Sequence, residues 1–318
     1  MDGSSQESAM RPQKIVVLGG TGFVGRHLVP RLQRDGHAVR VLTRNRDLHR
    51  ELGVLPRVVL VNADVYDRSV LAREFAGADG VLNLVGILNE RGSDGSGFRK
   101  AHVELARTVI DACIGNGVPR LLQMSALRAG EGTSHYLATR GQAEALVQSS
   151  PLAWTIFRPS VIFGDGDGLF FRFASLLRIA PVLPLARARA RFQPVYVGDV
   201  AEAFARALVH PHTQGHVYEL GGPRVVELGE LVRWTARMTG RRRPVLPLPD
   251  ALGRVQALVG EWLPGKPISR DNFRSLQLDS VVRDDGLAAL GIVATPMEAV
   301  MPRLLEADGR RRDRYRRG

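Results

Sequence analysis

The sequence predicts an α/β fold, a doubly wound parallel sheet with a smaller C-terminal lobe. Three observations carry that expectation. Short apolar runs alternate with segments of helical period over about half of the chain. A glycine-rich turn lies between the first apolar run and the first helical segment. From residue 164 onward the alternation gives way to turn clusters and proline-rich stretches.

Residues 15–18 form the first apolar run and read as a buried strand. The turn Gly19-Gly20-Thr21-Gly22-Phe23-Val24-Gly25 follows. Val24, Leu28 and Leu32 then recur at helical spacing, and Asp35-Gly36 ends the helix. A second apolar strand spans 38–42. Strand, glycine turn, helix and strand make half of a dinucleotide-binding Rossmann unit. One glycine turns tightly, one lets the backbone approach a pyrophosphate, and one packs the helix on the strand. The helix N-terminus offers free N–H groups and its positive dipole end to the phosphates. The turn therefore nominates Gly19, Thr21, Gly22, Phe23, Val24 and Gly25 as cofactor-binding.

The tip of the second strand sets the cofactor. An acidic residue there holds the ribose 2′-OH of NAD. Here Thr43 is followed by Arg44 and Arg46, with no acid. A guanidinium suits a 2′-phosphate, so Arg44 favours NADP(H) over NAD(H). Arg26, just after the last glycine, is a second candidate for the same phosphate.

The third strand is expected over 57–61, leading to Asp64 and Val65. Asp64 has two readings, a contact to the adenine amino group or a turn residue. Asp67 is the better N-cap for a helix over 69–75. The fourth strand, 80–85, ends at Leu84, Val85 and Gly86, which should pass beside the cofactor because ligands lie outside strand C-termini. A glycine-rich loop, 89–97, precedes a long helix over 98–116 that Gly117 and Pro119 terminate. The fifth strand, 120–124, leads to Ser125-Ala126. Tyr136 and Arg140 lie four apart and share one helical face. The sixth strand, 152–157, runs into Arg158-Pro159, and Pro159 joins the cofactor group at that tip.

The pattern then changes. Asp165-Gly166-Asp167-Gly168 reads as a loop, because no downstream glutamate completes a calcium site. Helices are expected over 169–179, 200–208 and 226–240, with a strand over 217–222. Residues 244–249, with three prolines, read as an irregular crossing. The segment 251–263 is amphipathic, with Leu252, Val255, Leu258, Val259 and Trp262 on one face. Packing on its own lobe, lining a substrate pocket and lying on a membrane are the readings open to it, and packing is the plain one. The expected organisation is an N-terminal disordered segment 1–13, a nucleotide-binding domain 14–163 completed by about 192–222, a small lobe from 164–191 and 223–300, and a basic tail 301–318, disordered from 308. There is no internal repeat.

The chain has 318 residues, 44% of them hydrophobic, ample for one large packed unit. Its single cysteine, Cys113, allows no internal disulfide and no cysteine zinc cluster, which points to a reducing compartment. Residues 1–10 carry no targeting pattern, and no apolar run reaches the length of a membrane span. The expectation is a cytoplasmic protein. The net charge is +12, nearly all from arginine. That suits an arginine-biased surface or contact with an anionic membrane or acidic partner. No nucleic-acid module is present, so nucleic acid is not an expected partner.

The motifs GGTGFVG, NLVGILNERG, RPSVIFGDGDG, PVYVGDVAEAF and YELGGP, with a tyrosine helix at Tyr136, together resemble the atypical branch of the extended short-chain dehydrogenase/reductases. Within it they are most similar to the family of complex I alpha-subcomplex subunit nine, in its bacterial homologues. The resemblance covers residues 14 to about 299. It implies a Rossmann domain with a small lobe, and a Tyr-x-x-x-Lys pair assisted by a serine or threonine. Tyr136 holds the tyrosine place, which moves a proton to or from substrate oxygen, and also counts as a cofactor contact. Arg140 holds the lysine place, which binds ribose and lowers the tyrosine pKa. Ala126 falls in the hydroxyl place, with Ser125 one position early, where a strand sends its side chain to the other side.

The catalytic candidates are therefore Tyr136, Arg140 and Ser125, in a relay that departs from the family pattern at two positions. The resemblance implies a cofactor-holding accessory factor of low or no turnover, linked to the respiratory chain or ubiquinone metabolism. Its location would be peripheral on the inner face of the cell membrane. The alternative is an active NADPH-dependent reductase, dehydrogenase or epimerase on a small carbonyl, sugar-nucleotide or quinone-like substrate.

Overall fold

A computed structural model describes residues 11–241, 243–263 and 268–317. Seven strands form the central sheet: β1 (Lys14–Leu18), β2 (Ala38–Thr43), β3 (Val58–Asn62), β4 (Gly80–Asn83), β5 (Arg120–Met124), β6 (Ala153–Pro159) and β7 (His216–Leu220). Their spatial order is β3-β2-β1-β4-β5-β6-β7, and every pairing is parallel. The order reverses between β1 and β4, and a crevice opens there beyond the strand C-termini.

Helices cover both faces, as a sheet of continuous apolar strands requires. On one face lie α1 (Gly25–Arg34) and the helix Val197–Val209, packed through Leu28, Leu32, Val200 and Phe204. On the other lie α2 (Arg68–Phe75), α3 (Leu105–Gly115) and α4 (His135–Gln148), packed through Leu71, Phe75, Val109 and Val147. Cys113 is buried in this second layer, where desolvation pushes its thiol up to about 12. Asp67 caps α2 by accepting the N–H of Ser69 at 2.8 Å.

Several boundaries differ from the sequence expectation. β3 begins at Val58, because Arg57 sits at φ 62°, outside strand geometry. β4 stops at Asn83, because the Val85 N–H donates to Asn83 Oδ1 and the chain turns toward the crevice. The helix expected over 98–116 enters as Ser96–Arg99, passes through a π turn at Lys100–Glu104 and continues as α3.

The lobe carries the larger corrections. Val245–Leu248, read as an irregular crossing, is a strand paired in parallel with Leu183–Ala186. The pair has only two strands, so a proline lacking an N–H is tolerated at an edge. The helix Phe170–Ile179 packs against Leu228–Met238 and against Met297, Met301 and Leu305 of the last helix. That last helix, Met297–Arg317, continues through the tail expected to be disordered from 308. Its apolar stripe at four-residue spacing anchors the first turns, and arginine is a good helix former. The expectation for residues 1–10 lies outside the described residues.

The segment Asp250–Gly260 is helical, but its plain reading is overturned. Gly253, Ala257 and Gly260 face the lobe, and the apolar stripe from Leu252 to Trp262 faces outward.

Candidate functional site

A cleft of about 1020 Å³ opens beyond the C-terminal ends of the central strands. Its floor is the glycine turn. Gly19 adopts φ 76°, and a Cβ there would meet the backbone of Leu84 and Val85 at 3.1 Å. Gly22 donates its N–H to the Gly19 carbonyl at 3.0 Å, closing the turn. A Cβ on Gly25 would come within 2.4 Å of the Gly20 backbone, so α1 can sit on the turn only with glycine there. Backbone and helix N-terminus therefore form a cradle that added Cβ atoms at these glycines would disturb, the shape a pyrophosphate needs.

The cleft gathers nearly every residue nominated from sequence. Gly19, Thr21, Gly22, Phe23, Val24, Gly25, Arg44, Val65, Leu84, Val85, Gly86, Ser125, Tyr136, Arg140 and Pro159 all line it. Asp64 does not; its carboxylate accepts the Tyr66 N–H at 3.0 Å, which is the turn reading. Arg26 is likewise outside the cleft walls, its guanidinium lying against Gly166 of the 164–168 loop. Arg44 is exposed at the rim and pairs with no carboxylate among the described residues, whereas Arg46 lies 3.9 Å from Asp47. Thr43 is buried, its hydroxyl 3.4 Å from that of Thr21.

Tyr136 and Arg140 project from the first turns of α4. Ser134 caps that helix by accepting the Leu137 N–H at 3.1 Å. Asp271, from the lobe helix Arg270–Ser275, accepts the N–H groups of His135 and Tyr136 at 2.7 and 3.0 Å. A carboxylate at a helix N-terminus is favoured by the dipole. The lobe thus grips the turn that carries the tyrosine.

The Arg140 side chain is buried and runs beneath Gly86. Its Nη1 donates to the Met124 carbonyl at 2.9 Å and to the Val85 carbonyl at 3.4 Å. A Cβ on Gly86 would meet Arg140 Nη2 at 1.9 Å. Glycine at the tip of β4 and arginine on α4 therefore make one fitted unit. The Arg140 guanidinium carbon stands 5.6 Å from the Tyr136 ring centre.

His102 escaped the sequence reading. It lies in the π turn, 5.6 Å from the Tyr136 ring in an edge-on arrangement. One ring nitrogen is 2.9 Å from the Thr139 hydroxyl, and the other accepts the Ile87 N–H at 3.5 Å. Burial first, and the Arg140 charge second, push its pKa down to about 2, so the ring is neutral. One signal could have found it: His102 falls on the same helical stripe as Phe98, Leu105 and Val109, a polar residue on an apolar face.

Ser125 Oγ is buried and has no hydrogen-bond partner among the described residues, and Ala126 lines the cleft beside it. The far wall comes from Leu169, Ser275, Leu276 and Leu278 of the lobe and from Phe192, where the segment that completes the nucleotide-binding domain begins. No sequence motif marked Ser275, Leu276 or Leu278. Among the described residues no cluster of His, Cys, Asp and Glu could hold a metal ion.

An NAD(P)H-binding family model matches residues 19–171. The chain is 30% identical to the mitochondrial NADH dehydrogenase [ubiquinone] 1 alpha subcomplex subunit 9 of Arabidopsis thaliana, over 90% of this chain and 75% of that one. It is 28% identical to the NADH-ubiquinone oxidoreductase 40 kDa subunit of Neurospora crassa, over 77% of this chain, and spans only 65% of that subunit's length. It is 30% identical to the ceramide reductase of Caulobacter vibrioides, over 78% of each chain. Among solved structures, the dTDP-glucose 4,6-dehydratase of Streptomyces venezuelae superposes with a TM-score of 0.74 at 20% identity, over 92% of this chain and 96% of that one, and shares the fold.

Proposed function

The chain belongs to the extended short-chain dehydrogenase/reductases, in the group of complex I alpha-subcomplex subunit nine, and from that membership we propose that it is an NADP(H)-holding accessory factor of low or no turnover. One observation carries the reading. The group in the lysine place is a buried guanidinium fitted under Gly86 and bonded to the strand-end carbonyls of Val85 and Met124. A planar fork held this way lines the cleft as a fixed part of its wall and would not swing to follow a ribose hydroxyl as an ammonium does. The hydroxyl place is held by Ala126. The cradle itself is complete, so cofactor binding is kept while the proton relay is not.

The preference for NADP(H) is supported by Arg44, a rim guanidinium at the tip of β2 that pairs with no carboxylate among the described residues and would suit a 2′-phosphate. Bound nucleotide would stabilise the fold by mass action. The partner is proposed to belong to the respiratory chain or quinone metabolism, with the protein peripheral on the inner face of the cell membrane.

A second reading has its own support. Tyr136 shares the cleft with the apolar side chains of Leu169, Phe192, Leu276 and Leu278, and one relative of equal identity is named a ceramide reductase. In this reading a carbonyl on an apolar substrate is reduced to an alcohol. A reduced nicotinamide, held by the glycine turn of Gly19 to Gly25, would supply the hydride for the carbonyl carbon. The Tyr136 hydroxyl gives its proton to the oxygen and is reprotonated from solvent, while neutral His102 and Arg140 hold its ring.

Nicotinamide fluorescence, titrated with NADPH and with NADH and followed after addition of a soluble short-chain quinone, separates the two. Tight NADPH binding with a persistent signal is expected. Decay faster than in a protein-free control, abolished by Tyr136→Phe with cofactor affinity unchanged, would replace the accessory reading with the reductase one.

A further inference from the structure

The helix Asp250–Gly260 is built inside out. Its lobe-facing side is made of the smallest residues. A Cβ on Gly253 would meet the Phe273 ring at 2.9 Å, and one on Gly260 would meet the Ile268 carbonyl at 2.5 Å. The large apolar residues point the other way. Leu252, Val255, Leu258 and Val259 are each about half exposed, Leu263 is 50% exposed, and Trp262 is 87% exposed. Leu246, on the neighbouring strand, is exposed as well. At 100° per residue the exposed set falls within an arc of about 140°. An unbroken apolar face of this kind marks an interaction surface.

The charges around it have one sign. The two acids at the ends of the segment are already paired: Asp250 with Arg187 at 3.3 Å, and Glu261 with Arg270 at 3.0 Å. Arg254 on the helix and Arg241 before the adjoining strand are exposed and pair with no carboxylate among the described residues. The chain as a whole carries +12. No helix of the described residues is long and apolar enough to cross a membrane.

We propose that this face is a membrane-docking surface. The helix lies in the plane of an anionic bilayer, with its leucines and valines in the acyl boundary, Trp262 at the interface and Arg254 and Arg241 on the headgroups. Lipid is favoured over a protein partner because the face is apolar apart from the Trp262 indole N–H, a group suited to the membrane interface, while arginines that pair with no carboxylate among the described residues flank it. The position matters for the site. Phe273, beneath Gly253, belongs to Arg270–Ser275, and the residues that follow, Leu276 and Leu278, line the cleft. Docking therefore brings the apolar wall of the cleft close to the bilayer. This inference stands independently of whether the protein turns over its cofactor.

The test is co-sedimentation of the full chain with vesicles of phosphatidylglycerol and phosphatidylcholine in equal parts, against pure phosphatidylcholine. Binding to the anionic vesicles alone is expected, with a loss of ten-fold or more in the Leu252→Glu/Val255→Glu protein. That variant places charges at exposed positions, and retained NADPH-induced thermal stabilisation verifies its fold. Brominated lipid should quench Trp262 fluorescence, and Trp262→Phe should remove that quenching while the protein still sediments. Arg44→Asp should sediment like wild type even if nucleotide binding fails. Equal sedimentation of the double variant, or no sedimentation with anionic vesicles, overturns the proposal. So does a concentration-dependent dimer that the same two substitutions abolish without lipid, because the occupant would then be a second copy.

Discussion

Helices Gly25–Arg34 and Asp250–Gly260 are both seated by glycine, yet they turn opposite faces to the protein. In the first, Gly25 meets the Gly20 backbone, and Leu28, Val29 and Leu32 are buried in the sheet-facing core. In the second, Gly253 and Gly260 meet Phe273 and Ile268, and the large side chains stay outside. Glycine serves close approach in both. In the first, the close approach frees the helix N-terminus for a ligand; in the second, it frees a whole helix face. A helical stripe of apolar residues therefore identifies a face to be covered, and says nothing of whether the cover is the protein itself.

The sharpest way to break this comparison is to add side chains at both seats. Gly25→Val puts a branched side chain where even a Cβ has only 2.4 Å to backbone that cannot move aside. It should cost about 3 kcal/mol or more, the upper range for overpacking, and remove NADPH-induced stabilisation. Gly253→Ala meets a phenyl ring at 2.9 Å, which can shift. Its cost should be about 1 kcal/mol, with nucleotide binding intact. Denaturant unfolding with and without NADPH measures both. Equal losses at the two positions would mean that the two seats are equivalent and that the cradle is not specially constrained.

Arg44→Asp sharpens the ligand side. Removing a charge-assisted pair costs about 1.5–3 kcal/mol, so NADPH affinity should fall roughly ten- to a hundred-fold, with NADH affinity unchanged or improved. If the two nucleotides weaken together, Arg44 does not read the 2′-phosphate.

Much of the first region is legible in sequence because its constraints are local. Strand, turn and helix follow one another within residues 14–44, and each glycine has a backbone reason to be there. The strand-tip rule carried Leu84, Val85, Gly86 and Pro159 to one cleft without any motif. The rest depends on contacts far apart in the chain. Asp271 reaches the N-terminus of α4 across 136 residues, and Leu276 and Leu278 complete the cleft from the lobe. The match between Gly86 and Arg140 is also non-local, so a sequence shows only that a lysine has become an arginine. The triple-proline segment was misread because proline argues against a central strand, whereas its place in a two-stranded pair is an edge.

The smallest expected effect contrasts two helix-capping aspartates, Asp67 in the nucleotide-binding domain and Asp167 in the lobe. Asp67 caps α2 in solvent, where hydrogen bonds from the Ser69 side chain and backbone hold its carboxyl below the usual range. Asp167 caps Phe170–Ile179, accepting the N–H groups of Leu169 and Phe170 at 2.9 and 2.8 Å, but burial pushes its pKa up to about 6. The signs follow from linkage. Between the ordinary aspartate value and about 6 the folded state binds more protons at Asp167 than the unfolded chain, so its contribution falls as pH rises through that window. At Asp67 the folded state binds fewer protons, so its contribution is present above the ordinary value and is lost as pH falls through the lowered one. Asparagine keeps a cap acceptor at either position without titrating. Thermal melts from pH 3 to 7.5 should therefore show Asp167→Asn gaining on wild type as pH rises, and Asp67→Asn losing ground. A common slope for the two variants would place the Asp167 carboxyl in contact with solvent and remove the distinction between a cap whose charge is favoured and one whose charge is opposed by burial.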